Sequence, residues 1–214
     1  MRVFTNPQLP TKKSFVLFLL HKQPESSINV QGTPFCNQVE IIRALARTLP
    51  LDHDLYVKEH IVALPHRPFG FYAELKRIPG VCLITPFADT FDLMKHSTLV
   101  VTITGTAAFE ATLLGRPAAT IAPVYFENFI KFPRFNPFKT PLGQLIKETY
   151  GHNGELTDEQ VNFFASFLAQ SYSGEVGDAF WFPWSMDHNN ISQVANGFLD
   201  IINIYSKRNK WATI

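Results

Sequence analysis

Residues Leu99–Pro117, LVVTITGTAAFEATLLGRP, decide the fold that the rest of the chain must adopt. Leu99–Ile103 is a short apolar run rich in β-branched residues, which predicts a buried strand. Small residues follow at Thr104-Gly105-Thr106, and apolar side chains then recur at helical spacing from Ala107 to Leu114. A glycine and a proline close the stretch, as is typical of a helix end. The stretch therefore predicts a strand, a tight turn and a helix.

The turn of this stretch has the composition of an anion-binding site. A helix that begins at the carboxyl end of a parallel strand points unpaired N–H groups into a crevice, where these groups and the helix dipole both favour an anion. Thr104 and Thr106 add hydroxyl donors, and Glu110 lies one turn inside the helix. A capped helix of any α/β protein shows the same pattern, and one glycine is a weak indication of a phosphate site. Both interpretations stay open on this stretch alone.

Apolar runs alternate with helical patterns on both sides of this stretch. The alternation predicts βαβ units with right-handed crossovers, and hence an α/β fold with a doubly wound parallel sheet. After Pro123 the pattern changes to helices without strands, which predicts a C-terminal helical extension. The other predicted strands cover residues 15–20, 55–58, 81–84 and 118–122, and the other predicted helices cover 35–49, 69–77, 89–96, 141–149, 157–170 and 190–205.

Composition and motif content exclude several classes of protein. The formal net charge of +1 argues against a nucleic-acid partner bound by bulk electrostatics. Cys36 and Cys82 show neither metal nor redox spacing, which indicates a reducing compartment, and no His/Cys/Asp cluster has zinc spacing. The chain lacks GxGxxG after its first strand and lacks GxxxxGK[ST], which weakens the NAD and ATP interpretations. We expect a cytoplasmic protein with no metal and no cofactor.

Three polar groups follow predicted strand ends. They are Gln23-Pro24-Glu25, Glu59-His60, and the threonine turn with Glu110. Because the carboxyl ends of parallel strands lie at one edge of a sheet, these groups are expected to converge on one ligand. A histidine can pair with a phosphate, and a carboxylate can hold hydroxyls or act as a base. The structural alternatives are a satisfied core histidine and solvated loop carboxylates.

Four stretches containing these residues resemble the bacterial capsule and surface-polysaccharide biosynthesis proteins, a family of GT-B-like glycosyltransferases that includes capsular β-Kdo transferases. They keep their order and spacing between residues 15 and 125, although Ile61 stands where the family has Pro after His60, and Ser26 stands where it has Ala. The stretches are LHKQPESS (20–27), LYVKEH (55–60), FYAELKRIPGVCLITP (71–86) and VVTITGTAAFEATLLGRPA (100–118).

The resemblance implies a Rossmann-like domain that binds a CMP- or UDP-linked sugar donor. Thr104, Gly105 and Thr106 would hold the donor phosphate, His60 would contact the same phosphate, and Glu110 would bind the nucleoside. Gln23 and Glu59 complete the expected substrate-binding set. Glu25 and His60 are the expected catalytic residues.

The chain has room for one Rossmann-like domain, whereas a whole GT-B enzyme has two. We therefore expect the donor-binding half of a glycosyltransferase. Either the chain is a fragment of a two-domain enzyme, or the acceptor-binding half is supplied by another polypeptide or by a homo-oligomer. A non-hydrolysing sugar-nucleotide epimerase and a non-catalytic docking subunit stay open as alternatives.

The expected domain organisation has three parts. Residues 1–13 form a lead-in, 14–125 the nucleotide-sugar-binding core, and 126–214 an aromatic loop and C-terminal helices that pack on the core. The aromatic segments 124–138 and 180–184 are either partly buried or face a missing domain or the inner face of the cytoplasmic membrane. If segment 124–138 faces such a surface, Lys131 and Arg134 would contact its anionic groups. The basic tail 207–210 is either a solvated end of the chain or a contact with a membrane or a partner.

Overall fold

The computed structural model describes residues 3–127, 133–149, 156–177, 179 and 182–209, the last five of these by backbone alone. The chain forms two compact units, Met1–Gln160 and Val161–Ile214. Lys131, Phe180 and Trp181 lie outside the described residues, and so do the side chains of the basic tail.

The first unit contains a five-stranded sheet in which every strand pair is parallel, as the sequence predicts. The strands are β1 (Ser14–Leu19), β2 (His53–Lys58), β3 (Val81–Ile84), β4 (Leu99–Thr102) and β5 (Ala118–Thr120). Their order in the sheet is β3-β2-β1-β4-β5, so the chain winds outward in both directions from β1. This is the order of a doubly wound Rossmann-like sheet, in which ligands bind where the order reverses.

Helices cover both faces of the sheet. Side chains alternate along β1, so that Val16 and Phe18 face one core cluster while Phe15 and Leu17 face the other. The helices of this unit are α1 (Gln38–Arg47), α2 (Phe71–Leu75), α3 (Thr90–His96), α4 (Ala107–Leu113) and α5 (Leu142–Thr149). The first cluster takes residues from α1, α2 and α5, and the second takes residues from α3 and α4.

Side-chain caps fix the starts of two helices. The Asn37 side chain accepts a hydrogen bond from the backbone of Glu40 at the start of α1, and Asp89 accepts one from Asp92 at the start of α3. The predicted start of α1 at residue 35 is too early, because residues Thr33–Phe35 form a separate 3₁₀ turn before the Asn37 cap. The predicted helix over 69–77 shortens to α2, which begins after Gly70 at a φ of 83°.

The N-terminal segment adds to the edge of the sheet. Thr5 bridges to Ile84 of β3 in parallel, donating to the carbonyl of Leu83 and accepting from the backbone of Thr85. Phe4 and Leu9 pack against the two core clusters. The expected lead-in therefore contributes both to the sheet and to the core.

The aromatic segment 124–138 divides between core and surface. Phe126 and Phe135 are buried, whereas Tyr125 and Phe138 are exposed. Arg134 pairs with Glu127 at 3.5 Å, so its charge already has a partner within the chain.

The second unit contains α7 (His188–Asn209) and most of α6 (Asp158–Ala169). A 3₁₀ turn at Pro183–Met186 precedes α7, and Asn190 of α7 donates to the carbonyls of Ser185 and Glu175 at 2.8 Å each. Both Phe182 and Trp184 are exposed, and the Trp184 indole donates to the Glu175 carboxylate. Among the residues that the structure describes, no helix is long and apolar enough to cross a membrane.

Candidate functional site

A cleft of about 480 Å³ opens at the carboxyl edge of the sheet, where the strand order reverses between β1 and β4. The segments that follow β1, β2 and β4 form its walls. Seven of the eight site residues predicted from the sequence line this cleft: Glu25, Glu59, His60, Thr104, Gly105, Thr106 and Glu110.

Gln23 is the nominated residue that does not line the cleft. Its amide oxygen accepts a hydrogen bond from Gln38 at 2.7 Å, and its amide nitrogen donates to the Cys36 carbonyl at 3.0 Å. These bonds hold the side chain away from the cleft, in a neighbouring depression of the surface.

His21, which sequence reasoning missed, lies beneath the threonine turn. The Nε2 atom of His21 accepts a hydrogen bond from the Thr104 N–H at 3.3 Å and lies 3.1 Å from the Thr102 hydroxyl. Because Nε2 accepts, the ring carries its proton on Nδ1 and the Thr102 hydroxyl donates. Burial, together with the nearby charges of His60 and Arg67, lowers the pKa of His21 to about 4. The ring is therefore neutral over the physiological pH range.

The amides of the turn are partly used inside the protein. The Thr104 N–H donates to His21, and the Gly105 N–H donates to the Thr102 hydroxyl at 3.1 Å. The expectation of free N–H groups therefore fails at Thr104 and Gly105, because Thr102 and His21 lie directly beneath the turn. The N–H groups of Thr106 and Ala107, at the start of α4, have no such acceptor among the described residues. Since α4 has seven residues, its dipole is also short.

Two buried hydroxyl groups of the cleft also lack a hydrogen-bond partner within the residues that the structure describes. The buried Oγ1 of Thr104 and Oγ of Ser27 have no hydrogen-bond partner among the described residues, and both side chains line the cleft. An unpaired buried hydroxyl costs free energy unless a ligand or water satisfies it. Thr106 donates its hydroxyl to the Glu110 carboxylate at 3.0 Å, which places these two side chains together at the mouth of the cleft.

Glu59 is held by an internal network on the cleft wall. Its buried carboxylate accepts from Arg67 at 2.6 and 2.9 Å, from the Tyr72 hydroxyl at 2.9 Å and from the His60 backbone at 2.6 Å. Arg67 also donates to the His21 carbonyl at 2.9 Å and lies over the Phe71 ring. With four internal donors on its carboxylate, Glu59 orients the backbone of His60 and ties Arg67 to the base of the cleft.

His60 and Glu25 stand on different strand-end loops, and both line the cleft. Partial burial of the His60 ring lowers its pKa, and the nearby cations Lys58 and Arg67 act in the same direction, while the carboxylates of Glu25 and Glu59 oppose them. His60 is therefore mainly neutral near pH 7 and can donate one hydrogen bond. No cluster of three or more metal-ligating side chains is present in the described part of the chain.

Residues 2–128 match the model of the family described as capsule polysaccharide biosynthesis protein. The match covers more than half of the chain and every residue that lines the cleft. The chain belongs to this family. No curated protein matches it.

Solved structures share its fold at low sequence identity. Staphylococcus aureus MnaA, solved with UDP, aligns at 18% identity with a TM-score of 0.50 over 77% of this chain and 48% of its own. The β-Kdo 2,4 transferase KpsC of Thermosulfurimonas dismutans aligns at 17% identity with a TM-score of 0.48 over 69% of this chain and 48% of its own. The UDP-GlcNAc 2-epimerase of Methanocaldococcus jannaschii aligns at 17% identity with a TM-score of 0.48 over 74% of this chain and 46% of its own. This chain thus spans about half the length of each of these proteins.

Three residues of the cleft region were missed from the sequence: His21, Lys58 and Arg67. The sequence could have indicated two of them, because His21 and Lys58 are polar residues at the end of apolar strand runs. No sequence pattern indicated Arg67, since it lies eight positions from Glu59 in a loop that contains the 3₁₀ helix Ile61–His66.

Proposed function

We propose that this chain binds a nucleotide-sugar donor in the cleft and acts as the donor half of a glycosyltransferase in capsule or surface-polysaccharide biosynthesis. The observation that carries the proposal is the pair of unpartnered hydroxyls, Thr104 and Ser27, in a cleft at the reversal point of the sheet. Membership of the capsule family and the UDP carried by the similar MnaA structure support a nucleotide as the ligand.

Six of the eight predicted site residues have a role in this proposal. The donor phosphate would accept hydrogen bonds from the Thr104 hydroxyl and from the neutral ring of His60, with Gly105 giving it close access to the turn. Thr106 would donate to the same phosphate by turning its one hydroxyl proton away from Glu110. The Glu110 carboxylate would hold the ribose hydroxyls. Transfer forms a bond between the acceptor hydroxyl oxygen and the sugar and breaks the bond between the sugar and the phosphate. The charge that develops on the departing phosphate is then stabilised by these donors.

Glu25 is the candidate catalytic carboxylate of this half. It is exposed on the loop after β1 and faces His60 across the cleft, with no internal hydrogen bond to its side chain among the described residues. A carboxylate in that position can accept a proton from an incoming hydroxyl group.

The acceptor would bind to a second half, which lies in a longer protein of which this chain is a piece, in another polypeptide or in a second copy of this chain. We further propose a cytoplasmic location, with contact at the inner face of the membrane, and transfer without a metal or cofactor.

Calorimetric titration with CMP, UDP and GDP tests the proposal, using Thr104→Val as the central variant. Valine keeps the shape of threonine and removes the unpartnered hydroxyl. We expect the unfolding free energy to rise by about 1 kcal/mol, because an unsatisfied buried group is lost. We expect affinity for the bound nucleotide to fall by roughly tenfold, because one ligand hydrogen bond is lost.

Thr120→Val is the matched control. Thr120 is also buried with an unpartnered hydroxyl, but it does not line the cleft, so this variant is expected to gain stability without losing affinity. If wild-type protein binds none of the three nucleotides, the proposal is wrong and a docking subunit is favoured. If incubation with a UDP-sugar gives an epimerised sugar nucleotide, the chain is an epimerase.

A further inference from the structure

Lys58 places a buried positive charge in the wall of the cleft. It is the last residue of β2, its exposed fraction is 7%, and its side chain lines the cleft. The ammonium group donates to the Pro86 carbonyl at 3.1 Å and to the Glu59 carbonyl at 3.5 Å. Both acceptors are neutral, so these bonds orient the ammonium without cancelling its charge.

The acidic side chains near Lys58 bind other groups of the protein. Lys58 forms no ion pair with any residue that the structure describes. Glu59 is neutralised by Arg67 at 2.6 Å, and Asp89 accepts from the backbone of Asp92 at the start of α3. Burial lowers the pKa of Lys58, while Glu59 and Asp89 act in the opposite direction from a distance. A buried cation without a counter-ion is costly, and an anion bound beside it removes that cost.

The register of the sheet places Lys58 across the cleft from the threonine turn. Lys58 pairs with Leu19 of β1, and the preceding residue of β1, Phe18, pairs with Val101 of β4. Lys58 and the start of the turn therefore reach the same sheet edge two strands apart, or roughly 10 Å. A single phosphorylated ligand can contact the ammonium on one side and the unpartnered Thr104 hydroxyl on the other.

We propose that Lys58 is a phosphate-binding residue of the cleft and supplies the fixed positive charge that the threonine hydroxyls lack. The inference rests on the proposed function only in taking the phosphate to be that of a nucleotide. The ammonium is already oriented by two carbonyls, so little side-chain entropy is lost when the anion binds. In the transfer reaction the same charge would stabilise the departing phosphate.

The test compares the affinities of ligands with and without phosphate for wild-type protein and for two variants of Lys58. One variant loses the positive charge and the other keeps it. UDP, CMP, the nucleosides uridine and cytidine, and inorganic pyrophosphate are titrated into wild-type, Lys58→Met and Lys58→Arg protein. We expect Lys58→Met to lower affinity for the bound nucleotide by roughly ten- to a hundredfold, as for a lost charged hydrogen bond, with nucleoside affinity unchanged. Lys58→Arg should recover part of the loss because it keeps the charge.

Lys95→Met is the control for bulk charge, since Lys95 is exposed on α3 and does not line the cleft. Urea denaturation of Lys58→Met shows whether the variant is folded, and we expect no loss of stability because a buried uncompensated charge is removed.

Each outcome of the titrations decides the inference. If Lys58→Met leaves nucleotide affinity unchanged, or lowers nucleotide and nucleoside affinity equally, Lys58 is not a phosphate-binding residue, although the proposed function stands. If wild-type protein binds pyrophosphate through Lys58 but binds no nucleotide, the inference stands and the proposed function fails. If wild-type protein binds neither, both are overturned.

Discussion

At the scale of single residues, His21 connects three segments that form the cleft. Its backbone N–H donates to Gln38 at 2.8 Å, its carbonyl accepts from Gln38 at 3.0 Å and from Arg67 at 2.9 Å, and its ring accepts from Thr104. Protonation of the ring would remove the acceptor of the Thr104 N–H and would place a second charge near Arg67. The fold therefore requires His21 in its neutral form.

This requirement predicts a specific loss of stability in acid. In the folded protein the pKa of His21 is about 4, whereas the unfolded value is 6.5. As pH falls from 6.5 toward 4, the unfolded chain gains a proton at His21 that the folded chain does not, so the unfolding free energy falls by about 3 kcal/mol from this residue. Above pH 6.5 the residue contributes no pH dependence. Urea denaturation measured across this range should show the decline.

The variant His21→Gln should lack this part of the pH dependence, because glutamine keeps a hydrogen-bond acceptor and does not titrate. His96→Gln is the control, since His96 lies exposed near the end of α3. Equal slopes for wild-type protein and His21→Gln between pH 4 and 6.5 would show that His21 titrates normally in the folded state.

At the scale of elements, the β4–α4 turn needs glycine at position 105 for reasons of space. A Cβ atom added there would lie 2.6 Å from the Thr102 Oγ1 and 3.3 Å from the Cε1 of His21. The Thr102 hydroxyl is held between Gly105 and His21, so it has no free direction in which to move. Gly105→Ala should therefore lower the unfolding free energy by about 1–3 kcal/mol and displace the turn. Nucleotide affinity, measured by calorimetry, should fall with it.

Gly143→Ala, in α5, is the matched control. The added Cβ would lie 3.4 Å from Pro50 and 3.8 Å from the Thr48 carbonyl, which are ordinary contacts. Alanine also favours a helix by up to about 1 kcal/mol over glycine, so stability is expected to be equal or higher. A Gly105→Ala protein with wild-type stability and affinity would show that the turn adapts to a side chain.

The sequence predicted the elements well because the strands are buried on both faces. Runs such as Leu99–Thr102 are apolar throughout, and the parallel sheet that they imply brings strand ends to one edge. The same reasoning predicted that His60 and Thr104 lie close together. It could not find the partners inside the cleft: His21 meets Thr104 only after the sheet forms, and Gln23 turns away because Gln38 holds it. Such contacts join residues distant in sequence and leave no local periodicity.

At the scale of the whole molecule, the first unit contains a complete core. All buried apolar residues of the described chain precede residue 147, and every residue that lines the cleft lies at or before Tyr125. Both core clusters therefore lie within Met1–Gln160. In the second unit, apolar side chains of α7 such as Phe198 and Ile202 are exposed.

A chain that ends at Gln160 is therefore expected to fold cooperatively and to bind the same nucleotide as the full chain. Its unfolding free energy in urea should stay within about 1–2 kcal/mol of the full-length value, because no core side chain is removed. A chain that ends at residue 140 is the contrast, since it loses Leu142, Leu145 and Ile146 from the first core cluster. Each such loss costs about 2–5 kcal/mol, and the three together are as large as the whole stability of a typical domain. If the chain ending at Gln160 unfolds without cooperativity while the full chain unfolds cooperatively, the core of the first unit depends on residues beyond it.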